Sequence, residues 1–159
     1  MIATDQDKMD QSRMRPDVRE RVRILNPWLT CAPEEGRALL DRHLPAQYVA
    51  RRASPHTAGD RHAIVVVGPR QAGKSTLTWH HLRPFFPRVL FLNAEDTLVR
   101  EACESAAELA DLIRRGYPGL EAVFIEEAQH LDEAGLLVKG LVDAHLGVQV
   151  WVTGSSSYH

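Results

Sequence analysis

Residues 68–75 read GPRQAGKS, which fits the phosphate-binding pattern G-x-x-x-x-G-K-[ST]. The residues just before them, 63–67, read AIVVV, an apolar run rich in β-branched side chains that predicts a strand. Residues 74–82 contain no Gly or Pro and are predicted to form a helix. Strand, glycine loop and helix in this order are the context in which the pattern binds phosphate. The alternative interpretation is a glycine-containing turn followed by a surface lysine.

Each part of this loop has a predicted role in holding a nucleotide. Gly68 and Gly73 are expected to adopt dihedrals that a side chain would disfavour, so that backbone N–H groups and the helix N-terminus face the phosphates. Lys74 is predicted to reach the β- and γ-phosphates of ATP, and the Ser75 hydroxyl to bind Mg²⁺. The predicted nucleotide-binding residues of the loop are Gly68, Pro69, Arg70, Gln71, Ala72, Gly73, Lys74, Ser75 and Thr76.

Composition and charge narrow the class of protein. The 159 residues carry a formal net charge of −2, and 44% of them are hydrophobic, which predicts one folded core and gives a nucleic-acid role no support. Arginines and acidic residues are interspersed between 13 and 23, which favours a solvated face over a nucleic-acid arm. Cys31 and Cys103 fit no metal-binding spacing and are interpreted as reduced thiols. Because neither a membrane-spanning run nor a signal peptide is recognisable, we expect a cytoplasmic protein without membrane contact.

Three regions are distinguished along the chain. Residues 1–17 are polar and are predicted to be a disordered tail. Residues 18–61 form an N-terminal helical segment and a linker: 22–29 is expected to dock on the core, 34–44 to form a short helix after Pro33, and 51–61 to be the linker. Residues 62–159 contain the nucleotide-binding core.

Within this core, predicted strands and helices alternate. Such alternation is typical of an α/β fold with a parallel sheet and helices on both faces. The strands are predicted at 63–67, 88–92, 122–125 and 148–152, and the helices at 74–82, 96–115 and 134–145.

Two adjacent carboxylates follow the third predicted strand, where residues 122–127 read AVFIEE. Glu126 is expected to complete the Mg²⁺ site with Ser75, and Glu127 to polarise the water that attacks the γ-phosphate. The predicted catalytic residues are therefore Glu127 and Lys74. Helix capping could also explain two carboxylates at a helix start.

The last predicted strand runs into residues 153–157, TGSSS. Thr153 and Ser155 would lie beside the γ-phosphate if this strand stands between the strands predicted at 63–67 and 122–125. They are therefore included among the nucleotide-binding candidates. A Ser/Gly-rich loop that simply leaves the sheet is an equal alternative.

Several other polar residues admit structural explanations. The residues after the second strand lie where ligands bind in such folds, but Asp96 can equally cap the next helix. Gln129 and Arg70 could reach the phosphates or could tie loops together by hydrogen bonds. His80 and His81 have no Cys or His at ligand spacing and are interpreted as surface or hydrogen-bonded residues.

The motifs together resemble a known family. GPRQAGKST, VLFLNAED, VFIEEAQHL, LLVKGLVD and VWVTGSSS occur in this order between 68 and 157. The chain is similar to prokaryotic AAA-type ATPases that carry GPRQ-x-GK-[ST]-T, LN-x-ED, a D-E-x-Q Walker B segment and TGSS. The resemblance implies that 68–76 is the Walker A loop, that Glu126 and Glu127 are the Walker B pair, and that 153–155 is sensor 1. It also implies a partner, either a protein client of unknown identity or a C-terminal, often nuclease-like domain.

Two departures from this family carry consequences. Glu126 stands where the family has Asp, which places Mg²⁺ geometry and turnover in question. The resemblance implies the strand order 5-1-4-3-2, and the sequence offers no fifth strand, lid helices or arginine finger, so we expect a C-terminally truncated domain. Residues 63–67 would then be an apolar edge strand that promotes homo-oligomers, unless residues 22–29 cover it.

The sequence thus predicts an AAA-type domain that binds ATP and Mg²⁺ and hydrolyses ATP. Two alternatives stay open, a nucleotide-binding module without turnover and a small-molecule kinase of the P-loop class. Glu127 and the missing Arg-rich lid favour the ATPase over the kinase.

Overall fold

In the computed structural model, residues 13–49 and 62–156 are described. Four parallel strands form one sheet in the order β1-β4-β3-β2. The strands are β1 (Ala63–Gly68), β2 (Val89–Asn93), β3 (Ala122–Glu126) and β4 (Gln149–Ser155). This confirms the α/β class and the predicted order of strands 1, 4, 3 and 2. The predicted linker at 51–61 lies outside the described residues.

Six α-helices and three short 3₁₀ turns connect and flank the described strands. The helices are α1 (Pro16–Leu25), α2 (Pro33–Asp41), α3 (Lys74–Leu82), α4 (Thr97–Ala102), α5 (Ala106–Gly116) and α6 (Ala134–Asp143), and the 3₁₀ turns are Pro27–Leu29, Arg83–Phe85 and Ala128–His130.

The alternation of side chains along the strands produces a core on each face of the sheet. In β3, Val123 and Ile125 enter one core, whereas Ala122 and Phe124 enter the other. The first core includes apolar side chains of α1, α4, α5 and α6. The second is largely aromatic and is formed with Trp28, Trp79 and Phe86. Helices therefore pack on both faces of the sheet.

Helix boundaries follow capping and proline positions. Proline begins both α1 and α2, as expected for a residue that has no N–H to donate. The single helical stretch predicted at 96–115 is wrong, because it is two helices. Asp96 accepts from the N–H groups of Leu98 and Val99 and begins α4, whereas Ser105 accepts from the Glu108 N–H and begins α5.

The N-terminal segment differs from expectation at its start. Helix α1 begins at Pro16, inside the stretch predicted as a tail, and Met14 before it is buried. Arg15 pairs with Asp17 and with Glu101, the latter at 2.8 Å. Ion pairs of this kind support a solvated face for the arginines between 13 and 23. Residues 1–12 lie outside the described part of the chain.

Residues 22–29 dock on the core, but they lie at the β2 edge of the sheet and not at the β1 edge. The Asn26 amide donates to the Phe91 carbonyl at 2.9 Å and accepts from the Phe91 N–H at 2.6 Å. The Trp28 indole N–H donates to the Val89 carbonyl at 2.8 Å. These side chains satisfy the outer backbone groups of β2. The expectation that residues 22–29 could cover β1 was therefore wrong.

Strand β1 has no partner strand on its outer side among residues 13–49 and 62–156. Its Val65 and Val67 are 58% and 66% exposed, and they line an apolar groove of about 750 Å³ together with α6 and the end of β4. Across the described ranges, no helix is both long and apolar enough to cross a membrane.

Candidate nucleotide-binding site

The backbone of the loop between β1 and α3 agrees only in part with the conformation predicted from its glycines. Gly73 has φ 79° and directly precedes α3, which is a left-handed conformation that favours glycine. Gly68 is the last residue of β1 and has no positive φ, so the prediction of an unusual dihedral there was wrong. The second left-handed position of the loop belongs to Gln71, with φ 58°.

Lys74 is buried, with 8% of its surface exposed. Its ammonium donates to the carbonyl of Gly68 at 3.1 Å and to that of Pro69 at 2.7 Å. The loop is therefore wrapped around the lysine, which excludes the alternative of a turn followed by a surface lysine. The Lys74 ammonium thus faces neutral carbonyl groups and no carboxylate, an arrangement in which it can exchange these acceptors for an anion.

The N-terminus of α3 is open in the way that an anion site requires. Its N-cap residue is Gly73, which has no side chain that could bond to the first N–H groups of the helix. Uncapped N–H groups at the positive end of a helix bind phosphate well. Of the remaining predicted loop residues, Pro69, Arg70 and Gln71 are exposed, whereas Ala72, Ser75 and Thr76 are half-buried.

Ser75 and Glu126, the predicted Mg²⁺ ligands, meet in the structure. The Ser75 hydroxyl lies close enough to the Glu126 carboxylate, at the end of β3, to interact with it. Burial raises the pKa of Glu126, and the negative charges of Glu127 and Glu95 add to this, whereas the Ser75 hydrogen bond lowers it. Among the described residues, no ion pair includes Glu126. A half-buried carboxylate next to a hydroxyl, with no cation beside it, fits a divalent metal.

Glu127 is held by the neighbouring strand. Its backbone is left-handed, with φ 56°. Its N–H donates to the hydroxyl of Thr153 at 3.4 Å, and Thr153 is fully buried in β4. The structure thus gives Thr153 a bond to the Glu127 backbone. This contact joins the predicted sensor strand to the predicted water-polarising residue.

Gln129 forms a second link between the same two strand ends. Its side-chain Nε2 donates to the Glu127 carboxylate, and its Oε1 accepts from the Ser155 N–H at 3.0 Å. Ser155 is buried, and the N–H of Ser156 donates to the Gly68 carbonyl at 3.0 Å. The end of β4 therefore contacts both the acidic segment and the start of the phosphate loop.

One group of potential metal ligands near the carboxyl ends of the strands was not predicted from the sequence. Glu95, Glu127 and His130 each offer a ligand atom, and these atoms lie within 4.8 Å of one another. Glu127 and His130 are brought together by the 3₁₀ turn Ala128–His130, whose i, i+3 spacing was the only local signal. Glu95 arrives from the end of β2, so the grouping depends on strand order.

Other polar candidates serve the structure. Asp96 caps α4 and pairs with Arg21 at 2.6 Å, which confirms the capping interpretation. His80 stacks on Tyr48 and His81 on Trp151, with ring centroids 4.0 and 5.8 Å apart. Neither histidine belongs to a group of potential metal ligands within the described ranges.

Comparison with known proteins identifies the type of domain. A family model described as an AAA domain matches residues 60–159. No curated protein and no solved structure matches the chain. The matched range contains the phosphate loop, the acidic segment and the whole sheet.

Proposed function

The chain belongs to the AAA domain family, and from that premise we propose that it binds ATP together with Mg²⁺ and hydrolyses the γ-phosphate. The observation that carries this proposal is the meeting of Ser75 with Glu126 beside a phosphate loop that encloses Lys74. These three groups come from β3 and from the start of α3, and each is of the type that a nucleoside triphosphate with its metal needs.

The loop would bind the phosphates with groups that the fold has already oriented. The N–H groups at the start of α3 would donate to the phosphates, and the Lys74 ammonium would exchange two neutral carbonyl acceptors for charged phosphate oxygens. Charge-assisted hydrogen bonds are stronger than neutral ones, so this exchange favours the bound state.

Mg²⁺ would be held by Ser75 and Glu126, and when bound it supplies positive charge to the β- and γ-phosphate oxygens. Glu127 would accept a hydrogen bond from the attacking water and orient it toward the γ-phosphate. The Thr153 hydroxyl fixes the Glu127 backbone during this step.

Binding is tested with the variant Lys74→Ala. It should lose a charge-assisted contact of about 1.5–3 kcal/mol, which corresponds to about ten- to a hundredfold weaker ATP affinity. Isothermal titration calorimetry with ATP and Mg²⁺ measures this directly. Equal affinity in the two proteins would overturn the proposed role of the loop.

Hydrolysis is tested with the variant Glu127→Gln. This variant should keep ATP binding and lose turnover on the order of 10²-fold, because the amide cannot accept a proton from water. Steady-state phosphate release measures the rate, and transfer to added small-molecule acceptors would indicate a kinase. A wild-type rate in the variant would show that another group activates the water.

The second candidate function is nucleotide binding without turnover. It is favoured by Glu126, which is one methylene longer than the aspartate of the resembled family and whose pKa is raised by burial. ATP binding by wild type with no phosphate release would identify this case.

A further inference from the structure

The side chain of Gln129 bridges the ends of β3 and β4. Its amide contacts the Glu127 carboxylate on one side and the Ser155 N–H on the other. Glu127 is the residue proposed to orient the attacking water, and Ser155 ends the strand whose next residue bonds to the phosphate loop. Gln129 is therefore the side chain that connects the proposed base to that strand end.

The orientation of this amide follows from its partners. A backbone N–H can only donate, so the oxygen Oε1 must face Ser155. The nitrogen Nε2 then faces Glu127, whose carboxylate can only accept. Reversing the amide would lose both bonds at once. The bridge therefore fixes one rotamer of Gln129 and one position of the Glu127 carboxylate.

A neutral donor suits the surroundings of Glu127. Glu95, Glu126 and His130 lie near it, and none of the ion pairs among the described residues includes Glu127. The neighbouring negative charges would push an unattached carboxylate away from the site. An amide holds the carboxylate in place without neutralising it, so its ability to accept a hydrogen bond from water is retained.

We propose that Gln129 is a positioning residue for Glu127, which holds the carboxylate in register with the end of β4. This inference rests on the proposed hydrolysis of ATP. The Glu127 backbone is already attached to β4 through Thr153. Gln129 adds the attachment of the side chain, and a carboxylate misplaced by about 1 Å can cost about 10²-fold in rate.

Two variants separate positioning from simple structural support. Gln129→Glu keeps an acceptor for the Ser155 N–H but places a second carboxylate against Glu127. Gln129→Met keeps the length of the side chain and removes both hydrogen bonds. The matched control is Gln149→Glu at the other end of β4, where the side chain accepts from Trp151 at 3.2 Å and a carboxylate can do the same.

We expect both Gln129 variants to lower kcat about ten- to a hundredfold, while the ATP dissociation constant changes less than about twofold. The Gln149→Glu control should keep the wild-type kcat. In a Glu127→Gln background, Gln129→Met should lower kcat by less than about twofold more, because the group it positions is already absent. The retained ATP affinity shows that each variant is folded around the phosphate loop.

The outcomes distinguish this inference from the function on which it rests. Wild-type turnover that stays unchanged in Gln129→Glu and Gln129→Met would overturn the positioning role alone. Equal loss of kcat and of ATP affinity would overturn it too, because it would indicate structural support only. A wild-type chain that binds ATP but shows no turnover would overturn the hydrolysis proposal, and the positioning role with it.

Discussion

At the scale of single residues, the contact between Ser75 and Glu126 decides how the metal would be held. Glu126 is one methylene longer than the aspartate of the resembled family, and its carboxylate lies near the Ser75 hydroxyl. Mg²⁺ requires near-ideal octahedral geometry and short bonds to oxygen, so the length of this side chain affects how well it could share a metal with Ser75. Aspartate would restore the side-chain length that the family has.

We therefore expect Glu126→Asp to raise kcat by about threefold or more and to lower the Mg²⁺ concentration needed for half-maximal turnover. Phosphate release measured across a Mg²⁺ titration checks both quantities. Glu121→Asp is the control, because it shortens an exposed glutamate that precedes β3 and pairs with Arg88 at 2.8 Å. An unchanged or lower rate in Glu126→Asp would show that the longer side chain is accommodated.

At the scale of elements, the outer edge of β2 depends on Asn26. This buried amide bonds to the N–H and the carbonyl of Phe91 and also donates to the Val22 carbonyl at 2.8 Å. Asn26→Ala would leave the Phe91 groups without their partner, at a cost of about 2–4 kcal/mol in the free energy of unfolding. Urea denaturation measures the change.

The control for this prediction is Thr30→Ala, which removes an exposed hydroxyl bonded to the Pro27 carbonyl at 3.2 Å. Its effect should stay within about 0.5 kcal/mol. If Asn26→Ala cost no more than this control, water would be satisfying the edge of β2 equally well.

The end of helix α4 contains a thiol that should be unreactive in the folded state. Cys103 is buried in the first core, and burial raises its pKa to about 12. Cys31 is half-buried. At pH 8, a thiol reagent should label Cys31 readily and Cys103 only when the chain opens, because the thiolate is the reactive form. A Cys31→Ser variant should then show no fast labelling, and fast labelling of this variant would contradict the packing of α4.

The raised pKa of Cys103 predicts that the free energy of unfolding falls at alkaline pH. The folded-state pKa of Cys103 lies above its ordinary value, so above about pH 9 the unfolded chain binds fewer protons than the folded chain. Stability contributed by the protonated thiol is therefore present below that pH and is lost as the pH rises toward 12. A Cys103→Ala variant should show a weaker decline of stability above pH 9 than wild type.

At the scale of the whole molecule, the sheet is protected at one edge and open at the other. Asn26 and Trp28 satisfy the outer groups of β2, whereas the outer side of β1 has no strand beside it within the described ranges. Val65 and Val67 expose apolar surface next to that edge. An uncharged, β-branched edge of this kind favours pairing with another chain.

We expect the 159-residue chain to self-associate at tens of micromolar, and Val65→Lys to increase the monomer fraction. Size-exclusion chromatography with light scattering measures both. Ile24→Lys is the matched control, since it places the same charge on an exposed apolar position of α1, 53% exposed. A wild-type chain that elutes as a clean monomer would contradict the picture of an open edge.

Local features of the chain were predictable from the sequence. The loop conformation at Gly73, the start of α3 at Lys74 and the cap by Asp96 each depend on groups within a few residues of one another. The strands were predictable because runs of β-branched and apolar residues favour extended, buried backbone. Their parallel arrangement followed from the alternation with helices, and the order of the sheet followed from the family resemblance.

The remaining features were decided by tertiary packing, because they join residues that are distant in the chain. Asn26 meets Phe91, and Thr153 meets Glu127, only once the strands have assembled in the order β1-β4-β3-β2. Which sheet edge residues 22–29 cover depends on where their apolar side chains gain the most free energy by burial. The periodicity of the sequence does not give this free energy. The sequence by itself determined a phosphate loop on a parallel sheet, since short-range sterics and patterning suffice for that. Only the tertiary structure decided which side chains hold Glu127, since long-range contacts place them.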